Sequence, residues 1–93
     1  EEMENELWRL KDRVRLEGDE SETGGVLYDT YTATMYSCNH TAWSVLQRLA
    51  APADLEELST DVVKQFDVAQ EKAQDDVLLL MRQLQSMDLL DFG

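Results

Sequence analysis

Across residues 8–16 the apolar side chains Trp8, Leu10, Val14 and Leu16 fall on even positions, while Arg9, Lys11, Arg13 and Arg15 fall on odd ones. A period of two predicts a strand with one buried face and a basic stripe on the other. Asp12 interrupts the apolar face, which leaves two short pieces or one bent edge strand as the alternatives. Residues 17–25 are polar with three glycines and predict a loop, mobile at its acidic tip. Residues 26–29 and 34–38 then predict a hairpin around Thr30, Tyr31, Thr32 and Ala33, because Val, Tyr, Thr and Met suit a pleated surface.

The period changes at Asn39, whose side chain can accept a hydrogen bond from a backbone N–H two or three residues on. Ala42, Trp43, Val45, Leu46 and Leu49 then form one apolar stripe, so Asn39 both ends a strand and starts a helix. Asp54 is placed to cap a second helix running through Phe66, with Leu55, Leu58, Val62 and Val63 at helical spacing and a break at Asp67 and Val68. A third helix, from Ala69 to about Met87, aligns Ala73, Val77, Leu80, Met81, Leu84 and Met87. Leu78 and Leu79 lie off that stripe, making the apolar arc broader than a core contact needs. Residues 89–93 predict a last extended piece. The order is α+β, with helices on one side of a small sheet.

Ninety-three residues make about one domain, covering 1–93 with a core from about 8 to 90. Met3 reads as a natural start behind two residues of a tag. The N-terminus has no signal-peptide pattern, and no apolar run reaches the roughly 18–20 residues that span a bilayer. Cys38 is the one cysteine, so no intramolecular disulfide closes and the cytoplasm is the expected compartment. Twenty acidic and eight basic side chains give a net charge of -12, which repels nucleic acid and anionic membrane surfaces. Residues 24–53 hold only Asp29 and Arg48 as charged groups, so contact is expected in this middle third.

Catalysis needs a nucleophile, a base and an orienting group, or a metal cluster. His40 stands two positions from Cys38, but the helix cap between them turns the chain and no third group follows. Asp75 and Asp76, like Glu56 and Glu57, point to different sides of a helix and read as solvated faces. Gly24 and Gly25 lie in an acidic loop with no lysine following, the wrong charge for a phosphate. No enzyme activity, cofactor or metal is expected. An acyl carrier would set its serine in an Asp-Ser-Leu motif, and neither Ser59 in ELSTD nor Ser86 in QSMDL matches.

The stretch GGVLYDTYTATMYSCNHTAWSVLQRL resembles the PqqD-like pattern of a hairpin that ends in Leu-Asn-x-Thr-Ala-x-x-Ile/Val-Leu. Asn39, Thr41, Ala42, Val45 and Leu46 match, and Cys38 replaces the leucine. The segment DLEELSTDVVKQFDVAQEKAQDDVLLLMRQLQSMDLL is similar to the family's second and third helices, with Asp76, Val77, Leu80, Leu84, Leu89 and Leu90 in register. Asp88 replaces a glycine that normally ends the third helix in a left-handed conformation.

The resemblance implies a winged helix-turn-helix of three strands followed by three helices, acting as a peptide-recognition element (RRE) in a pathway for ribosomally made, post-translationally modified peptides (RiPPs). Such an element binds the leader segment of a precursor peptide as an added strand and presents it to a modifying enzyme or leader peptidase. An exposed edge strand is a physical template for that addition. The expected peptide-binding residues are Thr34, Met35, Tyr36, Ser37 and Cys38 on the strand, with Leu78, Met81, Arg82 and Gln85 on the third helix. A lasso-type or radical-SAM-type pathway is favoured over the quinone-cofactor (PQQ) pathway, because the hairpin lacks that pathway's proline-glycine turn. A winged-helix DNA-binding regulator and a non-catalytic scaffold are the remaining alternatives. An exposed edge could also pair with its twin, so dimerisation stays open.

Overall fold

The period-two run at the N-terminus becomes two strands in two different sheets, because residues 11–13 turn the chain between them. The computed structural model describes residues 6–20 and 24–92. In order these are β1 (Trp8–Leu10), β2 (Val14–Gly18), β3 (Gly25–Asp29), β4 (Thr34–Cys38), α1 (His40–Arg48), α2 (Leu55–Phe66), α3 (Gln70–Ser86) and β5 (Leu90–Phe92). The Met3 start and the tip of the acidic loop lie outside the described residues.

β2, β3 and β4 form an antiparallel sheet in that order, and β1 pairs antiparallel with β5. The predicted final extended piece is therefore a strand that closes on the first one, with Trp8 stacked on Phe92 at 4.7 Å between ring centroids. This α+β arrangement of a three-stranded antiparallel sheet followed by three helices is the winged helix-turn-helix that the resemblance implies.

The predicted loop is shorter than residues 17–25, since Glu17 and Gly18 belong to β2 and Gly25 to β3. Trp43 explains the extra rung. A Cβ at Gly25 would stand 2.5 Å from the Glu17 carbonyl oxygen and 2.7 Å from the Trp43 ring. Two glycines thus let the sheet run on beneath an indole that holds α1 against it.

The helices begin where their caps dictate. The Asn39 carboxamide accepts the Ala42 N–H at 2.8 Å, and Asp54 and Glu57 form a reciprocal capping box at the start of α2. Leu27 from the sheet, Leu46 from α1 and Leu49 at its C-terminal cap, Leu58 from α2, Met81 and Leu84 from α3 and Leu89 beyond it are almost wholly buried. Each such side chain contributes roughly 1.5–3 kcal/mol on burial.

Asp88 does what the expected glycine would do. It takes φ 59°, its N–H donates to the Gln85 carbonyl, and the Leu89 N–H donates to the Leu84 carbonyl, both at 3.0 Å. This is a Schellman ending, built on an aspartate.

Ala33 also adopts a left-handed conformation, φ 57°, at the end of the β3–β4 turn. That conformation costs a residue with a Cβ roughly 1–2 kcal/mol, more than the roughly 0.5–1 kcal/mol of chain entropy that glycine loses on folding. Ala33→Gly is therefore expected to stabilise the protein by up to about 1 kcal/mol, a rise of roughly 4–8 °C in the melting temperature at most. A thermal melt showing no gain would contradict it.

Candidate peptide-binding edge and groove

Main-chain direction in the sheet follows from two hydrogen bonds. Asp19 N–H donates to the Gly24 carbonyl at 3.0 Å and Thr30 N–H to the Arg13 carbonyl at 3.1 Å, one at each end of the β2–β3 pair. Hydrogen-bonding direction alternates along an antiparallel strand, so Gly24, Val26, Tyr28 and Thr30 face β2, while Gly25, Leu27 and Asp29 face β4. These three lie opposite Cys38, Tyr36 and Thr34. Met35 and Ser37 consequently aim their N–H and C=O groups away from β3, at an edge that pairs with no strand among the described residues.

Side chains alternate in the other sense. Thr34, Tyr36 and Cys38 share the helix-facing side with Leu27, whereas Met35, 61% exposed, and Ser37 lie on the opposite face. Between β4 and α3 runs a groove of about 450 Å³. Leu27, Leu46 and Leu84 reach its floor, Tyr36 and Cys38 form the strand wall, and Leu80, Gln83 and Met87 form the helix wall. Among the described residues no charged side chain lines it.

The strand residues expected from the sequence are thus at this edge, but the helix residues are not. The groove takes the opposite flank of α3. Leu78 lines a separate cleft between α2 and α3 with Leu55 and Thr60. Met81 is completely buried in the core, and Arg82 and Gln85 are exposed away from the groove lining. The apolar surplus at Leu78 and Leu79 gave the sequence signal, yet Leu78 packs against the core and Leu79 stays 60% exposed. The residues missed were Leu80, Gln83 and Met87. Leu80 and Met87 had been counted with the core stripe, and a helical wheel carries no information about which neighbour each edge of the stripe meets.

The sheet's other edge differs. Its outward groups include the Val14 carbonyl, by the same alternation, and Arg15 covers this end: its guanidinium donates to the carbonyls of Val14 at 3.2 Å and Asp12 at 2.6 Å. A charged side chain folded over an edge hinders further strand pairing.

Two carboxylates with lowered pKa values stand near the turn end of the groove. Burial opposes ionisation of Asp29, but the Tyr31 N–H and then the Arg13 guanidinium outweigh it and hold the carboxyl below its ordinary range. Asp88 is lowered chiefly by its 2.8 Å hydrogen bond from Lys11. Burial pushes the Cys38 thiol up, away from the thiolate. Its Sγ lies 3.6 Å from the Tyr36 carbonyl, while the His40 ring packs edge-on against Phe66 at 4.7 Å. The two side chains thus have separate partners. Among the described residues no group of three or more His, Cys, Asp or Glu side chains is placed to hold a metal ion, and no helix is long and apolar enough to cross a membrane.

The profile of the family described as coenzyme PQQ synthesis protein D (PqqD) matches residues 24–90. Three solved structures share the fold. The chain of TbiB1 in complex with the TbiA(β) leader peptide has a TM-score of 0.78 and 18% identity, covering 89% of this chain and 94% of that one. A lasso peptide synthetase B1 complexed with the leader peptide gives 0.75 and 20%, over 90% and 96%. The PqqD truncation of Methylobacterium extorquens PqqCD, described as a functional, stand-alone RiPP recognition element, gives 0.74 and 20%, over 91% and 88%. No curated protein sequence matches the chain.

Proposed function

This chain belongs to the PqqD family, and from that premise we propose that it binds the leader segment of a ribosomally synthesised precursor peptide as a strand added to β4. The observation that carries the reading is the unguarded edge at Met35 and Ser37 beside an uncharged groove. Two outward residues offer two donors and two acceptors, enough to fix the direction and register of an extended peptide. Peptide side chains opposite Met35 and Ser37 lie on the outer face. Those between them enter the groove against Tyr36, Cys38, Leu80 and Met87.

That lining decides what is accepted. An apolar side chain gains by burial there, whereas a charge would lose its water and meet no partner. The chain acts as a non-catalytic binding element that hands its peptide to a modifying enzyme or leader peptidase of a lasso-type or radical-SAM-type pathway. It works in the cytoplasm, where the unpaired Cys38 thiol stays reduced.

Titration with a synthetic leader from a short precursor encoded beside its gene tests the proposal. Saturable binding, with amide shifts at Met35, Ser37, Leu80, Gln83 and Met87, is expected. Failure of every neighbouring leader to bind would end this reading.

A further inference from the structure

We propose that Arg13 sets the width of the β4–α3 groove and thereby its affinity for an extended peptide, a positioning role that rests on the peptide-binding reading above. The two walls belong to different parts of the fold, and something must hold them at a fixed spacing. At one end the chain itself does so. β4 runs through the Asn39 cap straight into α1, and Leu46 of α1 meets Leu84 of α3 in the groove floor.

At the other end the walls are the β3–β4 turn and the C-terminus of α3, which are far apart in sequence. Arg13, in the bend between β1 and β2, touches both. Its guanidinium donates to the Asp88 carbonyl at 2.8 Å and lies 3.8 Å from the Asp88 carboxylate. On the hairpin side its Nε stands 3.2 Å from Asp29, a charge contact without the alignment of a hydrogen bond, and its Cζ lies 4.9 Å over the Tyr31 ring. The Arg13 carbonyl accepts both the N–H and the hydroxyl of Thr30, at 3.1 and 2.7 Å.

The side chains of Arg13 and Asp29 are only 15% and 5% exposed, so their contact is less screened than that of a surface ion pair, while the more exposed Asp88 is held chiefly through its backbone carbonyl. A planar guanidinium holds its donors in a rigid fork that fits these partners in fixed directions, whereas the three donors of lysine radiate from one point at the end of a flexible stem. Met87, on the helix wall, immediately precedes Asp88, so any movement at this tie shifts the wall directly. The same geometry accounts for aspartate where the family has glycine. Glycine would meet φ 59° with less strain, but only aspartate supplies a carboxylate to Lys11 and Arg13.

A groove that spends part of its time splayed binds in proportion to the fraction that is competent. Arg13→Gln is therefore expected to weaken leader binding about tenfold, corresponding to a competent fraction near one tenth, with Arg13→Lys between it and the parent. Affinities are measured on the protein with its native cysteine. Groove width is read separately, without peptide, from spin labels at Thr32→Cys and Gln85→Cys in a Cys38→Ser background. A broader or longer distance distribution in Arg13→Gln, together with the lost affinity, is the expected result.

Unchanged affinity in the folded variants would overturn the proposal, and so would lost affinity with an unchanged distance distribution. Should Arg13→Gln fail to fold, Asp88→Asn keeps a residue tolerant of the left-handed conformation while removing the carboxylate; a smaller loss of about threefold and a broadened distribution are expected of it. Failure of the parent protein to bind any leader would defeat the peptide-binding reading, while the distance comparison would still decide whether Arg13 holds the two walls.

Discussion

Ser37→Pro is expected to weaken leader binding by about tenfold or more with the fold intact, whereas Tyr36→Pro should disrupt the hairpin itself. The two positions are adjacent, but their amides point in opposite directions. Ser37 N–H faces the open edge, so proline there removes a donor to the peptide and puts its ring where the peptide carbonyl must approach. The lost hydrogen bond alone is worth roughly 0.5–1.5 kcal/mol, or up to about tenfold in affinity. The ring adds a steric barrier to pairing. Tyr36 N–H faces Leu27 instead, and its loss breaks the ladder inside the sheet. Calorimetric titration of both variants, with circular dichroism for the fold, separates the cases. Parent-like affinity in folded Ser37→Pro would show that the peptide does not add to this edge.

Met81→Ala is expected to produce the largest stability loss. The side chain is completely buried between α3 and the rest of the core. Truncating a buried methionine to alanine removes transfer energy and leaves a cavity, roughly 2–5 kcal/mol together. A domain of this size holds roughly 5–14 kcal/mol in all, so the melting temperature should fall by more than about 10 °C. Leu78→Ala should cost less, because Leu78 is only partly buried in the α2–α3 cleft. It should also leave leader affinity unchanged, since it lies on the far flank of α3. Equal melting temperatures for Met81→Ala and the parent, or a marked affinity loss in Leu78→Ala, would contradict this placement.

Much of the fold was legible because it depends on local signals. Period two at Trp8 to Leu16, the Asn39 and Asp54 caps, and the stripe from Ala73 to Leu84 each express a preference that holds within a few residues. The hairpin around residues 30–33 agreed as well, even though its turn carries Ala33 in a left-handed conformation without an Asn-Gly pair; its register is seen only in the structure. The edge strand of the candidate site was legible for the same reason: a β-rich run pinned to a helix start.

What lay beyond the sequence were the relations between elements. Asp12 signalled a break, but not that β1 would leave the main sheet to pair with β5, eighty residues on. Such a pairing is set by which apolar faces remain to be covered once the helices have packed. The flank of α3 that meets β4 was likewise undetermined, because both edges of its stripe carry a leucine, Leu78 on one and Leu80 on the other. Burial of Met81 against the core settles the helix's rotation and turns Leu80, Gln83 and Met87 to the groove. The sequence by itself determined the elements, their order and the strand that offers an edge. Only the tertiary structure decided which amides point outward, which side chains line the groove, and that Arg13 joins its two walls, since these follow from long-range packing that no local pattern encodes.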